Sequence, residues 1–208
     1  MNFLAHCALA HDAAEHWQVD ASARTALLAG AVIGDFIKGP VPDRWPADLR
    51  AGVRLHRRID AITAREASLS SVFPAFGSSL RRYAPILLDL LCDYSLCRQW
   101  HHFYEFELPQ FSQECYAALT TYQAYLPGRG QRFSQYLQQE DLLTHYDQWH
   151  VVSQGTGSVL RRLGMESRQE EVMTAMHAAR EATDQAMQAA YPRLQNAWMT
   201  WRPMEYQP

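Results

Sequence analysis

The stretch APILLDLLCDYSLCRQW, residues 84–100, is apolar along most of its length yet carries two carboxylates four residues apart. In a helix of 3.6 residues per turn, Asp89 and Asp93 share one face with large apolar side chains. We therefore predict a helix over about residues 78–103 that is buried on most sides. Because burying an unpaired carboxylate is costly, these acids need a cation, several hydrogen-bond donors or a metal ion.

The rest of the chain shows the same helical period, and alternating strand-like runs are almost absent. Asp20 is a predicted N-cap, and Pro192 is expected to end the last helix. We predict an all-α fold, an irregular helical bundle that forms a single domain over residues 1–208. The other predicted helices cover about residues 2–10, 20–37, 46–63, 66–73, 110–125, 131–152 with a break near residue 145, 155–163 and 167–190.

Composition excludes several classes of protein. Hydrophobic residues make up 48% of the chain, enough for a continuous core, and the net charge of -3 argues against nucleic-acid binding. No apolar run approaches the roughly 20 residues that span a bilayer, and the start of the chain lacks the pattern of a secretory signal. We expect a cytoplasmic protein that does not bind membranes, with four free, mostly buried cysteines. The oligomeric state is open.

A second informative stretch is GVRLHRRIDAIT, residues 52–63. On a helical wheel, His56 and Asp60 fall on the apolar face, and the arginines of this helix fall on the opposite one. The imidazole and the carboxylate are thus expected to point inward, while the arginines point outward. The arginine face is interpreted either as a solvated surface or as a docking surface for an acidic partner.

Two more stretches add polar groups to apolar surroundings. Asp35 and Lys38 lie in GAVIGDFIKG, residues 30–39, and His6 shares a face of the first helix with Phe3. A divalent cation would relieve the repulsion among carboxylates that meet in a dry interior. Oxygen-rich, thiolate-free coordination favours Mn²⁺ or Mg²⁺, with Fe²⁺ or Zn²⁺ where imidazoles contribute. Taken singly, His6 is also explained as a hydrogen-bonded core residue, and Asp60 as an ion-pair partner of Arg57.

Four blocks together resemble the signature blocks of the acyl carrier protein phosphodiesterase family. They are MNFLAHCALA (1–10), LAGAVIGDFIKG (28–39), GVRLHRRIDAIT (52–63) and APILLDLLCDYSLCRQW (84–100), in the family's order and at compatible spacing. All four fall within residues 1–103, and the remainder, 104–208, resembles the family only in helical character and length. The resemblance implies a helical fold similar to the His-Asp superfamily of metal-dependent phosphohydrolases.

The resemblance also implies a reaction and a set of residues. It implies hydrolysis of the phosphodiester that joins 4′-phosphopantetheine to a serine of holo acyl carrier protein, a strongly acidic partner, with Mn²⁺ as the preferred metal. Asp35 and Asp93 are the leading metal ligands that it implies. The further metal ligands implied are His6, His56 and Asp89, and the catalytic residues implied are His56, Asp60, Lys38 and Arg57.

Three positions depart from the family pattern. Ala8 stands where a second histidine is usual, Ala31 where asparagine is usual, and Tyr94 where the fourth block usually has histidine after Asp93. Two alternatives therefore remain beside the leading hypothesis. One is a phosphohydrolase with another substrate, and the other is a catalytically impaired homologue that binds the carrier protein.

Overall fold

The computed structural model describes residues 1–207, which form α-helices and short 3-10 turns without any strand, and this confirms the predicted all-α class. Short 3-10 turns cover Gly34–Phe36, Phe73–Phe76, Ser78–Tyr83, Gln123–Tyr125, Glu166–Arg168, Asn196–Met199 and Met204–Tyr206. The α-helices are α1 (Phe3–Trp17), α2 (Ala21–Ile33), α3 (Ala47–Thr63), α4 (Ala67–Ser70), α5 (Ala84–Arg98), α6 (Trp100–Phe103), α7 (Leu108–Thr121), α8 (Gly128–Gln139), α9 (Leu142–His145), α10 (Trp149–Leu163) and α11 (Gln169–Gln195).

Helix α5 lies at the centre of the bundle, where α1, α10 and α11 pack around it. Its side chains are buried on most sides, as its apolar sequence predicts. The core is continuous from α1 to the segment after α11, and the four cysteines lie within it as free thiols, as predicted. Within residues 1–207, no helix combines the length and the apolar character needed to cross a bilayer.

Two glycines bring α2 and α3 into close contact. A Cβ atom on Gly30 would lie 2.6 Å from backbone atoms of Gly52, a distance that no real side chain tolerates. The two helix backbones can therefore touch at this crossing. Because the backbones touch here, the polar residues of α3 lie close to the end of α2.

Several helix boundaries differ from the predicted ones. Helix α1 continues to Trp17 instead of ending near residue 10, because its second half also buries small apolar side chains. Helix α2 begins after its predicted N-cap, Asp20, whose carboxylate accepts from the Ala23 N–H at 2.8 Å, but it ends at Ile33. Helix α11 continues through Pro192 to Gln195, since the buried Tyr191 and Leu194 hold its last turn in the core.

The segment after α11 folds back over the arginine face of α3. Arg54 Nε donates to Glu205 Oε1 at 3.0 Å, and Arg50 Nε lies 3.7 Å from the same oxygen. The Arg58 guanidinium lies 5.8 Å from the centre of the Trp201 ring. These three arginines are therefore partly covered: the Glu205 side chain, only 4% exposed, packs against Arg50 and Arg54, while the Arg54 side chain stays 38% exposed.

Candidate metal centre

Side chains from α1 and α3 converge at one point. His6 Nε2 lies 3.2 Å from Asp60 Oδ1, and His56 Nε2 lies 3.4 Å from Asp60 Oδ2. The two imidazole rings are tilted by 30° with their centres 4.2 Å apart. One donor atom from each of the three residues falls within 4.8 Å of the others, which makes this group a possible metal site.

The end of α2 fixes the orientation of His56. Its Nδ1 atom lies 2.8 Å from the Ala31 carbonyl oxygen, and because a carbonyl only accepts, Nδ1 carries the hydrogen. The other ring nitrogen, Nε2, therefore faces Asp60. The turn after α2 allows this placement, since a Cβ atom on Gly34 would lie 2.4 Å from His56 Cγ.

His6 is held in its neutral form. Burial lowers the pKa of its imidazole to about 4, even though the hydrogen bond with Asp60 acts in the opposite direction. Its Nδ1 atom is buried and has no hydrogen-bond partner within residues 1–207. Burial alone would raise the pKa of Asp60, but its hydrogen bond and charge interactions with the two histidines outweigh this and lower it. At neutral pH the group thus offers the neutral imidazole of His6 and the carboxylate of Asp60, beside the ring of His56.

The group lies where two cavities meet. A larger, less open and mainly apolar cavity of about 700 Å³, called the enclosed cavity below, and a more open, polar cleft of about 490 Å³ share Asp35, His56 and Asp60 in their walls. Lys38 and Arg57 line the open cleft. Arg57 Nη2 donates to the Gly39 carbonyl at 2.7 Å and to the Ile37 carbonyl at 3.3 Å, which holds the loop at the edge of the cleft. All four of the predicted catalytic residues therefore line the open cleft.

Residues 104–208 supply much of the wall of the larger cavity, which the sequence did not predict. The aromatic ring of Phe133 on α8 lies 4.6 Å from Phe3 and 5.6 Å from Phe36, measured between ring centres. From α10, Val151, Gly155 and Val159 face the cavity, four residues apart. Residues four apart lie on one face of a helix, so this spacing was the sequence signal that could have indicated the cavity wall.

The predicted acidic ligands do not converge with this group in a dry interior. Asp93 is fully buried, and its carboxylate accepts from the backbone N–H groups of Asn2 at 3.1 Å, Leu4 at 2.8 Å and Ala5 at 3.2 Å. It thus caps the start of α1, whose free N–H groups explain its burial without an ion. Burial raises the pKa of Asp93 to about 7, and these N–H groups oppose the rise.

The other two predicted acidic ligands lie near the group but outside it. Asp89 contacts the amino group of Met1, and its side chain is 46% exposed. Asp35 is exposed in the turn after α2 and borders both cavities, but it is not among the three residues whose donor atoms converge. Only His6 and His56, of the five predicted metal ligands, come together, and Asp60 joins them.

The three departures from the family pattern leave the converging donor atoms intact. Ala31 contributes the carbonyl that orients His56, which any residue type could supply. Ala8 is fully buried in the core. The Tyr94 ring packs edge-on against Trp149 at 5.4 Å and lines neither cavity beside the group.

Comparison with known proteins gives a consistent family. The family described as "Acyl carrier protein phosphodiesterase" matches residues 1–194. A protein of Escherichia coli O6:H1 with that name is 35% identical over 150 residues, which cover 70% of each chain. A Yersinia pestis protein of the same name is 29% identical over 204 residues, covering 98% of this chain and 94% of the other. No solved structure matches the chain.

Proposed function

The chain belongs to the acyl carrier protein phosphodiesterase family, and on that premise we propose that it removes 4′-phosphopantetheine from holo acyl carrier protein. The products are apo carrier protein and free 4′-phosphopantetheine. The observation that carries the proposal is the convergence of His6, His56 and Asp60 at the junction of an enclosed cavity and an open cleft. A phosphodiester has one substituent on each side of the phosphorus. A site at such a junction can therefore hold one substituent in the cavity and the other in the cleft.

The donor set fits a divalent metal ion. Two imidazoles and one carboxylate are ligands that Mn²⁺, Fe²⁺ and Zn²⁺ accept, and the family resemblance favours Mn²⁺. The Nδ1–H of His56 is bonded to a backbone carbonyl, an arrangement common for a metal-binding histidine, because it fixes the ring and the tautomer. A bound ion would polarise a phosphoryl oxygen and lower the pKa of a water molecule.

The side chains of the open cleft suit the phosphate group. Lys38 and Arg57 place two cations along one wall, and neither has a carboxylate within 4 Å among residues 1–207. We assign them to binding and orienting the anionic phosphodiester. Asp60, which stays ionised, is assigned to accept a proton at its carboxylate or to help hold the metal. Asp35 is assigned to the wall that both cavities share.

The two cavities suggest how the substrate is oriented. The enclosed cavity is lined mainly by apolar side chains, such as Phe73, Ile86 and Leu90, and suits the extended pantetheine arm. The open cleft suits the side of the phosphodiester that carries the protein, because only there is room for a macromolecule. The enclosed cavity would also exclude water from the arm once it is bound.

The direct test is to incubate the protein with holo acyl carrier protein and Mn²⁺ and to follow the mass of the carrier protein. We expect loss of the phosphopantetheine group, inhibition by a chelator, and no loss with a His56→Ala variant. A wild-type protein that turns over bis(4-nitrophenyl) phosphate but leaves the carrier protein intact would show another phosphoester to be the substrate. A protein that binds no metal and hydrolyses neither compound would overturn the proposal.

A further inference from the structure

Positive charge without an acidic partner is concentrated beside the open cleft, on two segments of which the proposed reaction uses only Lys38. The segments are residues 37–45, before α3, and residues 124–132, at the start of α8, and together we call them the collar. The Trp45 and Tyr125 rings lie 5.1 Å apart, and a Cβ on Gly130 would lie 3.1 Å from Phe36, just before the first segment. The two segments therefore form one continuous surface.

The cations of the collar are exposed and have no acidic partner. Among residues 1–207, none of the four has a carboxylate oxygen within 4 Å. Asp43 is the only acid in the two segments, and it lies 3.7 Å from Arg50 of α3. This differs from the arginine face of α3, where Glu205 already balances the charge. The four exposed cations are Lys38, Arg44, Arg129 and Arg132.

The collar also contains a groove with both polar and apolar surface that adjoins the cleft. Trp45, Leu126 and Pro127 line this groove, whose volume is about 540 Å³, and Arg44 stands at its edge. Ile37 belongs to the walls of both the groove and the cleft. A macromolecule whose phosphodiester lies in the cleft must therefore cover the collar.

We propose that the collar is the surface on which the carrier protein docks, with carboxylates around its modified serine against the four cations and an apolar side chain in the groove. This inference rests on the proposed function. Charge complementarity supports an acidic partner, because exposed cations without internal partners attract carboxylates over several ångströms. A nucleic acid is the other polyanion that could bind exposed arginines, and the net charge of -3 opposes it.

A double charge reversal tests the inference. We expect Arg44→Glu with Arg132→Glu to raise the KM for holo carrier protein by at least about tenfold at low ionic strength, with kcat unchanged. Turnover of bis(4-nitrophenyl) phosphate should be unchanged, because neither arginine touches the converging group. Added salt should raise the KM of the wild type and narrow the difference between the two proteins. Both side chains are exposed, so the variant should keep the wild-type Tm.

The matched control makes the same change in charge away from the collar, with Arg81→Glu and Arg161→Glu, both exposed and unpaired with acids. An equal rise in KM for the control would show that net charge alone matters and would overturn the inference, as would an unchanged KM in the collar variant. Binding of apo carrier protein, measured by calorimetry, separates docking from hydrolysis. If the wild type binds it and the collar variant does not, docking stands even where no hydrolysis occurs.

Discussion

Asp60 and Asp93 both contact the first residues of α1, and the sequence presents them alike, each on an apolar face four residues from another polar group. The structure gives them different surroundings. Asp93 is fully buried, with three backbone N–H groups of α1 directed at its oxygens. The Asp60 side chain is 56% exposed at the wall of two cavities and faces two imidazoles.

The difference shows that burial of a carboxylate is a poor indicator of chemistry. Asp93 is buried because a helix start needs acceptors for its free N–H groups, and a carboxylate satisfies several of them at once. Asp60 is the acid that a substrate or an ion can reach. Its neighbours are two histidines, and one of them, His6, has a buried nitrogen that lacks a hydrogen-bond partner within residues 1–207. A residue beside a cavity whose polar atoms lack hydrogen-bond partners is the better guide to the site.

The largest effect that separates the two acids is expected in catalysis. Asp60→Asn should lower the rate of carrier-protein hydrolysis by about 1,000-fold, equal to about 4 kcal/mol of lost transition-state stabilisation. A residue that only orients a ligand would cost roughly 10- to 100-fold. Because the side chain is exposed, the Tm should change little. The measurement pairs initial rates with bound metal determined by mass spectrometry, and a normal rate in Asp60→Asn would remove this residue from the site.

Asp93 should respond in the opposite way, in stability. Asp93→Ala leaves three N–H groups at the start of α1 without an acceptor, two of them buried, and should lower the free energy of unfolding by about 4 kcal/mol. Urea denaturation followed by circular dichroism measures this. The folded fraction of the variant, at low temperature, should still bind the metal. A well-folded Asp93→Ala protein that has lost its metal would make Asp93 a ligand after all and break the comparison.

Lowering the pH should lower the stability of the protein through His6, a neighbour of Asp60. Since burial lowers the pKa of His6 from 6.5 to about 4, the unfolded chain binds a proton more readily than the folded protein. The contribution of His6 to stability is complete above pH 6.5 and is lost as the pH falls towards 4, by about 3 kcal/mol. Urea midpoints from pH 7 to 4, in the presence of a chelator, should fall further for the wild type than for His6→Gln. Parallel curves would contradict the burial of a neutral imidazole.

The smallest of these effects concerns the turn that supports His56. Gly34→Ala should push the ring out of position and lower the rate about tenfold, at a cost of about 1–2 kcal/mol in stability. The control is Gly157→Ala on α10, where an added Cβ meets nothing closer than 3.7 Å and should be neutral or slightly stabilising. Kinetics and thermal melts of both variants give the comparison, and an unaffected rate in Gly34→Ala would mean that the precise position of His56 is unimportant.

Much of the helical pattern could be predicted from the sequence, because apolar side chains repeat with the helical period and because Asp20 and Pro46 mark helix starts. The pairing of His56 with Asp60 was also predictable, since residues four apart on a helix share a face. The inward placement of His6 followed from its apolar neighbours. The break near His145 was indicated as well, and α9 ends there.

The remainder depends on contacts between distant parts of the chain. The hydrogen-bond partners of Asp93 lie at the start of α1, and one of them, Leu4, is 89 positions away in the sequence. No residue near Asp93 in the sequence indicates this contact. The covering of Arg54 by Glu205 spans 151 residues, and no helical wheel of α3 reveals it. The family pattern singled out both acids but did not distinguish the acid that caps a helix from the acid that faces the cavity.

The capping of α1 by Asp93 has a consequence for biosynthesis. A ribosome that adds roughly 5–20 residues per second makes the first helix several seconds before it makes the acceptor for the free N–H groups of that helix. Until α5 emerges, α1 lacks its cap, and His6 has no fixed position. The nascent chain should therefore bring His6 into its fixed place beside His56 and Asp60 only after α5 has left the exit tunnel.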